Sequence, residues 1–158
     1  MANLYHYTGI EQFTKIVAEE GLYSKVRLWA KDNSRKTNAP YEEALKKAEE
    51  RTAKWVELNP HEHMRESNVF LSRNLNHASR EGVSAGAYYR KQMVVLGFDV
   101  PEHIIPADAE NTVAIPELSL EHLVEVYAQK PVMKDARKLL NESHDGKYRH
   151  IILKEWTK

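Results

Sequence analysis

Apolar and polar positions change period several times along this chain, and each change predicts an element. Leu4-Tyr5-His6-Tyr7 reads as a short aromatic strand that presents one histidine and runs into a helix. Thr8 and Glu11 fit a capping box, in which the Thr oxygen accepts a helix-start N–H and the Glu reaches back. Ile10, Phe13, Ile16 and Val17 then form one apolar stripe, with Gly21 placed to stop the helix. Leu22-Tyr23-Ser24 and Val26-Arg27-Leu28-Trp29-Ala30 read as extended pieces, and residues 31–37 as a polar loop. A long helix is expected from near Asn38, with Pro40 in its first turn and Asn59-Pro60 at its end. Tyr41, Leu45, Ala48, Thr52 and Trp55 lie on one face of it, and Glu, Lys and Arg fill the rest.

Val69-Phe70-Leu71-Ser72 reads as a buried strand. Asn74 can cap a helix over residues 75–91, which carries Tyr88 and Tyr89 near its end. Met93–Val100 is the strongest strand, closed by Pro101; Thr112–Ile115 and Leu123–Ala128 follow. A helix is expected over 132–141 with Ala136, Leu139 and Leu140 inward, then a His144-Asp145-Gly146 turn and a closing strand over 148–153. Strands and helices interleave, but the later strands are short and close-spaced. That order favours an α+β domain with antiparallel-rich sheets over a doubly wound parallel one.

Composition narrows the function classes. A length of 158 residues suits one domain, 1–158, with a helical insertion at about 31–66. The 23 basic and 23 acidic residues balance, which argues against a broad electrostatic grip on nucleic acid but not against a local basic cleft. With no cysteine, disulfides, thiolate catalysis and Cys-based zinc sites are excluded. No apolar run approaches the ~20 residues that span a bilayer, and no signal peptide is visible. The expected compartment is the cytoplasm; a protein delivered into a target cell would look the same.

Two constellations are weak. His61-Glu62-His63 could put two imidazoles on one face of a strand, but it follows Asn59-Pro60 in a polar stretch and has no third ligand at a recognised spacing, so a solvated loop is the default and no metal is expected. Gly82-Val83-Ser84-Ala85-Gly86 has the letters of Gly-x-Ser-x-Gly but falls inside a predicted helix rather than at a strand-to-helix elbow, so its small residues are read as serving close packing, and a Gly-rich phosphate loop is missing. What remains is His6 with an aromatic group: Tyr5, Tyr7, Phe70, Tyr88 and Tyr89. Aromatic faces stack on flat heterocycles, and a histidine at the base can hydrogen-bond a sugar hydroxyl. The competing reading makes His6 a half-buried structural residue and most of these rings core.

Taken in order, these segments resemble the ADP-ribosyltransferase superfamily, in its diphtheria-toxin-like and poly-ADP-ribose-polymerase-like branch. Leu4-Tyr5-His6-Tyr7-Thr8 resembles that branch's first strand, whose histidine bonds the nicotinamide ribose of NAD, and small bacterial toxin domains open in the same way. Val69-Phe70-Leu71-Ser72 with Ala78 and Tyr88 or Tyr89 resembles the second element, whose two rings sandwich nicotinamide. The strand from Met93 to Pro101 resembles the central strand. Residues 111–116 and 120–126 resemble the strand bearing the catalytic acid and the strand after it. Only the helical segment 31–66 and the C-terminal tail fall outside the resemblance.

The resemblance implies two small antiparallel-rich sheets forming a cleft with flanking helices. It implies NAD as substrate, bound by His6, Tyr7, Thr8, Phe70, Ser72, Tyr88 and Tyr89, with Glu110 and His6 in catalysis. Phe70 stands where the first stacking Tyr is common, which keeps the ring and loses the hydroxyl. The family's acid normally opens the later strand, where Thr112 stands here; Glu110 is two residues earlier, on the same face if the strand begins early. Asp108 and Glu117 are the other acids nearby. The implied function is that of a bacterial or phage effector or toxin modifying a protein or nucleic-acid acceptor. Two alternatives stand beside it. One is a catalytically inactive binding module that engages a partner protein through the helix at 40–58. The other is an RNA 2′-phosphotransferase-like enzyme relying on Arg73 and His77.

Overall fold

A computed structural model describes residues 1–58, 67–78 and 86–157. Its centre is the strand with the most uninterrupted apolar run: in β4 (Met93–Val100) every residue but Asp99 is buried. A strand buried on both faces needs a partner along each edge. β1 (Ala2–Gly9) pairs antiparallel with the whole of β4, from Ala2 opposite Val100 to Gly9 opposite Met93. β7 (Leu123–Ala128) pairs antiparallel along the other edge, with a register shift at Gly97 and Phe98.

Three shorter strands complete a mixed six-stranded sheet. β3 (Val69–Ser72) lies antiparallel to β1 with Tyr5 opposite Ser72, and β5 (Thr112–Ile115) lies outside β3. β8 (Ile152–Glu155) lies parallel to β7, and the return path such a pair requires contains the helix α4 (Met133–Glu142). A second sheet has two strands, β2 (Gly21–Tyr23) and β6 (Glu117–Ser119). The architecture is thus mixed α and β, with one large sheet and one small one rather than two small sheets. The sequence pattern did not signal β6.

The chain divides into two compact units, one comprising Met1–Gly21, Phe70–Val113 and Ser119–Lys158, the other Leu22–Val69 and Ala114–Leu118. In the first, α1 (Ile10–Glu19) buries Phe13 and Val17 and packs beside α4, which buries Ala136 and Leu140. In the second, α2 (Lys25–Thr37) and α3 (Tyr41–Leu58) share a core of Val26, Ala30, Ala44 and Ala48, with Trp29, Tyr41 and Leu45 packed at its margin. Small residues four apart on α3 let the two helix backbones approach closely.

Several local expectations are corrected. Residues 26–30 are not extended and 31–37 are not a loop; together they form α2, capped by Ser24, whose Oγ accepts from the Arg27 N–H at 3.3 Å. A short apolar run fits both the strand and the helix period, and the spacing of Val26 and Ala30 decides for the helix because both face α3. The capping box at Thr8 and Glu11 does not form. β1 runs on to Gly9, whose side of the ladder is filled by Met93, so buried Thr8 belongs to the strand and no side chain caps α1. Glu20 rather than Gly21 ends that helix, in the left-handed region at φ 58°, and Gly21 opens β2.

Asn74 does cap the helical turn at residues 75–78, with Oδ1 accepting from the N–H groups of Asn76 and His77 at 2.8 and 3.2 Å. The helix expected to reach residue 91 does not: residues 86–91 are turns, with Gly86 at φ 87° and Lys91 at φ 57°. Gly82 lies outside the described residues. The closing strand starts at Ile152 rather than Tyr148, which is buried in the preceding turn. On α3, Ala44 takes the buried position, and Trp55, expected on the core stripe, is 49% exposed. His61 and His63 lie outside the described residues, and among the described residues no group of His, Asp or Glu could hold a metal ion.

Candidate functional site

Alternation along β1 assigns its side chains to two faces. Tyr5 and Tyr7 share one face with their cross-strand neighbours Gly97 and Val95, while Leu4, His6 and Thr8 point to the other. The pairing of Tyr5 with Ser72 extends this across β3, so Ser72 and Phe70 take the Tyr5 face and Leu71 the His6 face. His6 is half-buried and turns toward β3, where Nδ1 lies 2.9 Å from the carbonyl oxygen of Phe70. A carbonyl only accepts, so Nδ1 carries the proton, and a neutral His6 presents Nε2 as an acceptor. The imidazole lies nearly parallel to the Tyr7 ring, 6.0 Å between centroids and 17° between planes.

The rings named from the sequence are distributed unevenly. Tyr5, Tyr7 and Tyr88 pack against the buried cluster of Ala78, Met93 and Val95, together with Tyr127 and Trp156. Tyr89 is 74% exposed on the turn and meets Tyr88 edge-to-face at 5.6 Å. Thr8 and Ser72 are buried, and the Ser72 Oγ accepts from the Asn74 N–H at 3.1 Å. His6 thus meets Phe70 through its main chain, whereas Tyr88 and Tyr89 line a separate cavity with Gln129 and Trp156, described below.

The candidate acids are spread along one segment. Glu110 is exposed just before β5. Its carbonyl accepts from Arg73 Nε at 2.8 Å, and the Arg73 N–H donates to the Asn111 carbonyl at 2.9 Å. These two bonds tie the approach to β5 onto the end of β3, next to Ser72. Thr112 opens β5 and is exposed, as is Asp108; Glu117 pairs with Arg27 at 3.3 Å. Arg73 is therefore engaged by the main chain of 110–111.

One polar cluster was not singled out from the sequence. On the Tyr5 face, Glu125 Oε1 accepts from the Tyr127 hydroxyl at 3.0 Å and Oε2 from Lys154 Nζ at 3.2 Å. Gly97 is what admits the carboxylate: a Cβ there would stand 2.7 Å from Glu125 Cγ and 3.3 Å from Tyr5 Cε1. Burial, followed by the Glu125 charge, holds the Tyr5 phenol above its ordinary value; burial, followed by the hydrogen bond to Glu125, does the same for Tyr127. The bond to Glu125 raises the Lys154 amine. The signal was present, since Glu125 and Tyr127 alternate on β7 and a glycine interrupts the apolar run of β4.

No family model matches this chain, and no curated protein matches it either. No described helix is long and apolar enough to cross a membrane.

Proposed function

We propose that this chain is an NAD-dependent ADP-ribosyltransferase on an ADP-ribosyltransferase-like fold, acting as a bacterial or phage effector or toxin in the cytoplasm, its own or that of a target cell. The single observation that carries the reading is the bond from His6 Nδ1 to the Phe70 carbonyl. It fixes the tautomer, so that Nε2 is the acceptor a ribose hydroxyl of NAD would meet. The ordered resemblance of the strands supplies the rest.

In the reaction, the bond between nicotinamide and ribose C1′ breaks and nicotinamide leaves with the electron pair. A nucleophile of the acceptor, a protein side chain or a nucleic-acid base, forms the new bond to C1′ and gives up its proton. Positive charge develops on the sugar, and the carboxylate of Glu110 would stabilise it. Arg73 supports that role by holding the Glu110 main chain beside β3.

A second reading, a non-catalytic module that engages a partner protein through α3, is favoured by two observations. Trp55 and Leu58 are 49% and 81% exposed there, and a threonine rather than a carboxylate opens β5. Calorimetric titration with NAD, together with chromatography of the products, separates the two. Binding with release of nicotinamide supports the transferase. Binding without release supports the module, and no binding at millimolar NAD removes NAD from the account.

A further inference from the structure

At the sheet end where β4 begins and β7 finishes lies a cavity of about 430 Å³ lined by Tyr88, Tyr89, Trp156, Gln129, Lys91 and Lys130, with Pro131 at its side. Its size falls within the range of small-ligand sites. Two of its rings make edge-to-face contacts: Tyr89 with Tyr88 at 5.6 Å, and Trp156 with Tyr127 at 6.3 Å. Buried Gln129 fixes the floor. Its Oε1 accepts from the Met93 N–H at 3.0 Å, and its Nε2 donates to the Tyr88 carbonyl at 3.1 Å. The rest of the wall is fixed by its main chain, since the Lys91 N–H bonds the Tyr88 carbonyl at 2.9 Å and the Trp156 N–H the Ala128 carbonyl at 2.7 Å.

The chemistry of the lining is specific. It carries two lysines and, among the described residues, no carboxylate. Tyr89 is exposed and Trp156 partly buried; aromatic rings offer flat faces to a heterocycle, and lysine ammonium groups suit a phosphate. The cavity formed by α2 and α3 also holds two tryptophans and an arginine, but there Arg51 already lies over the Trp29 ring at 5.3 Å. A further cavity beside α1 and α4 is lined by three carboxylates, Glu11, Asp135 and Glu142, against one lysine, Lys138, and does not suit an anion.

We propose that this cavity is a nucleotide site, in which a base stacks on Tyr89 and Trp156 and its phosphate lies between Lys91 and Lys130. His6 is not among the residues that line the cavity, and the proposal does not rest on the transferase reading, in which the resemblance gives Tyr88 and Tyr89 to nicotinamide. The nucleotide is either free or part of a single-stranded nucleic acid, and the balanced net charge of the chain is no obstacle to so local a contact.

Calorimetric titration of the full chain with AMP, adenosine and a 5′-phosphorylated tetranucleotide tests it. AMP should bind more tightly than adenosine. Tyr89→Ala should weaken AMP binding about tenfold, and it is safe for the fold because the ring is largely exposed. Lys91→Ala with Lys130→Ala should bring the AMP-to-adenosine preference to about one. A tetranucleotide at least tenfold tighter than AMP identifies a nucleic acid as the source; equal or weaker binding identifies a free nucleotide. The proposal is overturned if neither AMP nor the tetranucleotide binds at millimolar concentration, or if Tyr89→Ala binds AMP as the wild type does.

Discussion

His6 Nδ1 donates to the carbonyl oxygen of Phe70 at 2.9 Å, a bond between β1 and β3 across 64 positions of sequence. It gives His6 two separable roles. One ring nitrogen donates to a strand carbonyl, and in the proposed function the other accepts from a ligand hydroxyl. Asparagine separates them, because its amide nitrogen stands about as far from Cα as the imidazole Nδ1 does. His6→Asn should therefore unfold in urea within roughly 0.5 kcal/mol of the wild type, and His6→Ala should lose about 0.5–1.5 kcal/mol. Both should bind NAD about tenfold more weakly by calorimetry, since both lack the Nε2 acceptor. NAD affinity equal to wild type in His6→Asn would make His6 a structural residue only.

Glu125, Tyr5, Tyr127 and Lys154 predict an alkaline signature. Both phenols are held above their ordinary 10.0, first by burial and then by Glu125. For a group whose folded value is raised, the associated stability is fully present below the unfolded value and is lost as pH rises through the folded one. The native state should accordingly be unaffected by these phenols at neutral pH and lose stability as pH climbs above 10. Phenolate absorbance should show Tyr5 and Tyr127 titrating late. In Glu125→Gln both should move back toward the ordinary value without reaching it, because burial remains. Unchanged late titration in that variant would mean that Glu125 does not act on them.

Gly97 should resist even the smallest substitution. An alanine Cβ would stand 2.7 Å from Glu125 Cγ and 3.2 Å from Oε1, and Glu125 is held in place by Tyr127 and Lys154. Gly97→Ala should cost about 1–3 kcal/mol by urea unfolding. Adding Glu125→Ala should recover part of that loss, so that the two changes are non-additive. Strict additivity would show that the crowding lies with Tyr5 instead.

The legibility of this chain depended on how many periods a segment could satisfy. β4, β7 and α4 were readable because each presents one unambiguous pattern over six or more residues. α2 was not, because Val26-Arg27-Leu28-Trp29-Ala30 suits a strand as well as a helix, and the deciding neighbour, α3, is distant in sequence. Thr8 looked like a cap because capping residues and strand residues overlap in type, and the β1–β4 ladder won. His6 was legible as a residue fixed on a strand. Its bond to Phe70 was not, since a main-chain acceptor leaves no trace in composition. Lys91, Gln129, Lys130 and Trp156 went unnoticed because each is ordinary alone and only the sheet brings them together.

The acid of the proposed transferase is the last point to test. Glu110 lies two residues before Thr112, which opens β5, and its main chain is held by Arg73 while its side chain stays exposed. Glu110→Gln keeps shape and hydrogen bonding and removes the charge. A charge that acts mainly on the developing oxocarbenium contributes to turnover rather than to binding. NAD affinity by calorimetry should therefore stay within about twofold, and nicotinamide release should fall roughly a hundred- to thousand-fold. Thr112→Ala should do less, because a hydroxyl cannot supply that charge. Glu125→Gln should leave the rate near wild type, since that carboxylate already serves Tyr127 and Lys154 on the face opposite His6. Wild-type release from Glu110→Gln would move the role to Asp108 or to Glu117. Of these, Glu117 would first have to leave its pairing with Arg27 at 3.3 Å. A wild-type protein that binds NAD and never releases nicotinamide would favour the binding-module reading, with Thr112 standing where the charge is missing.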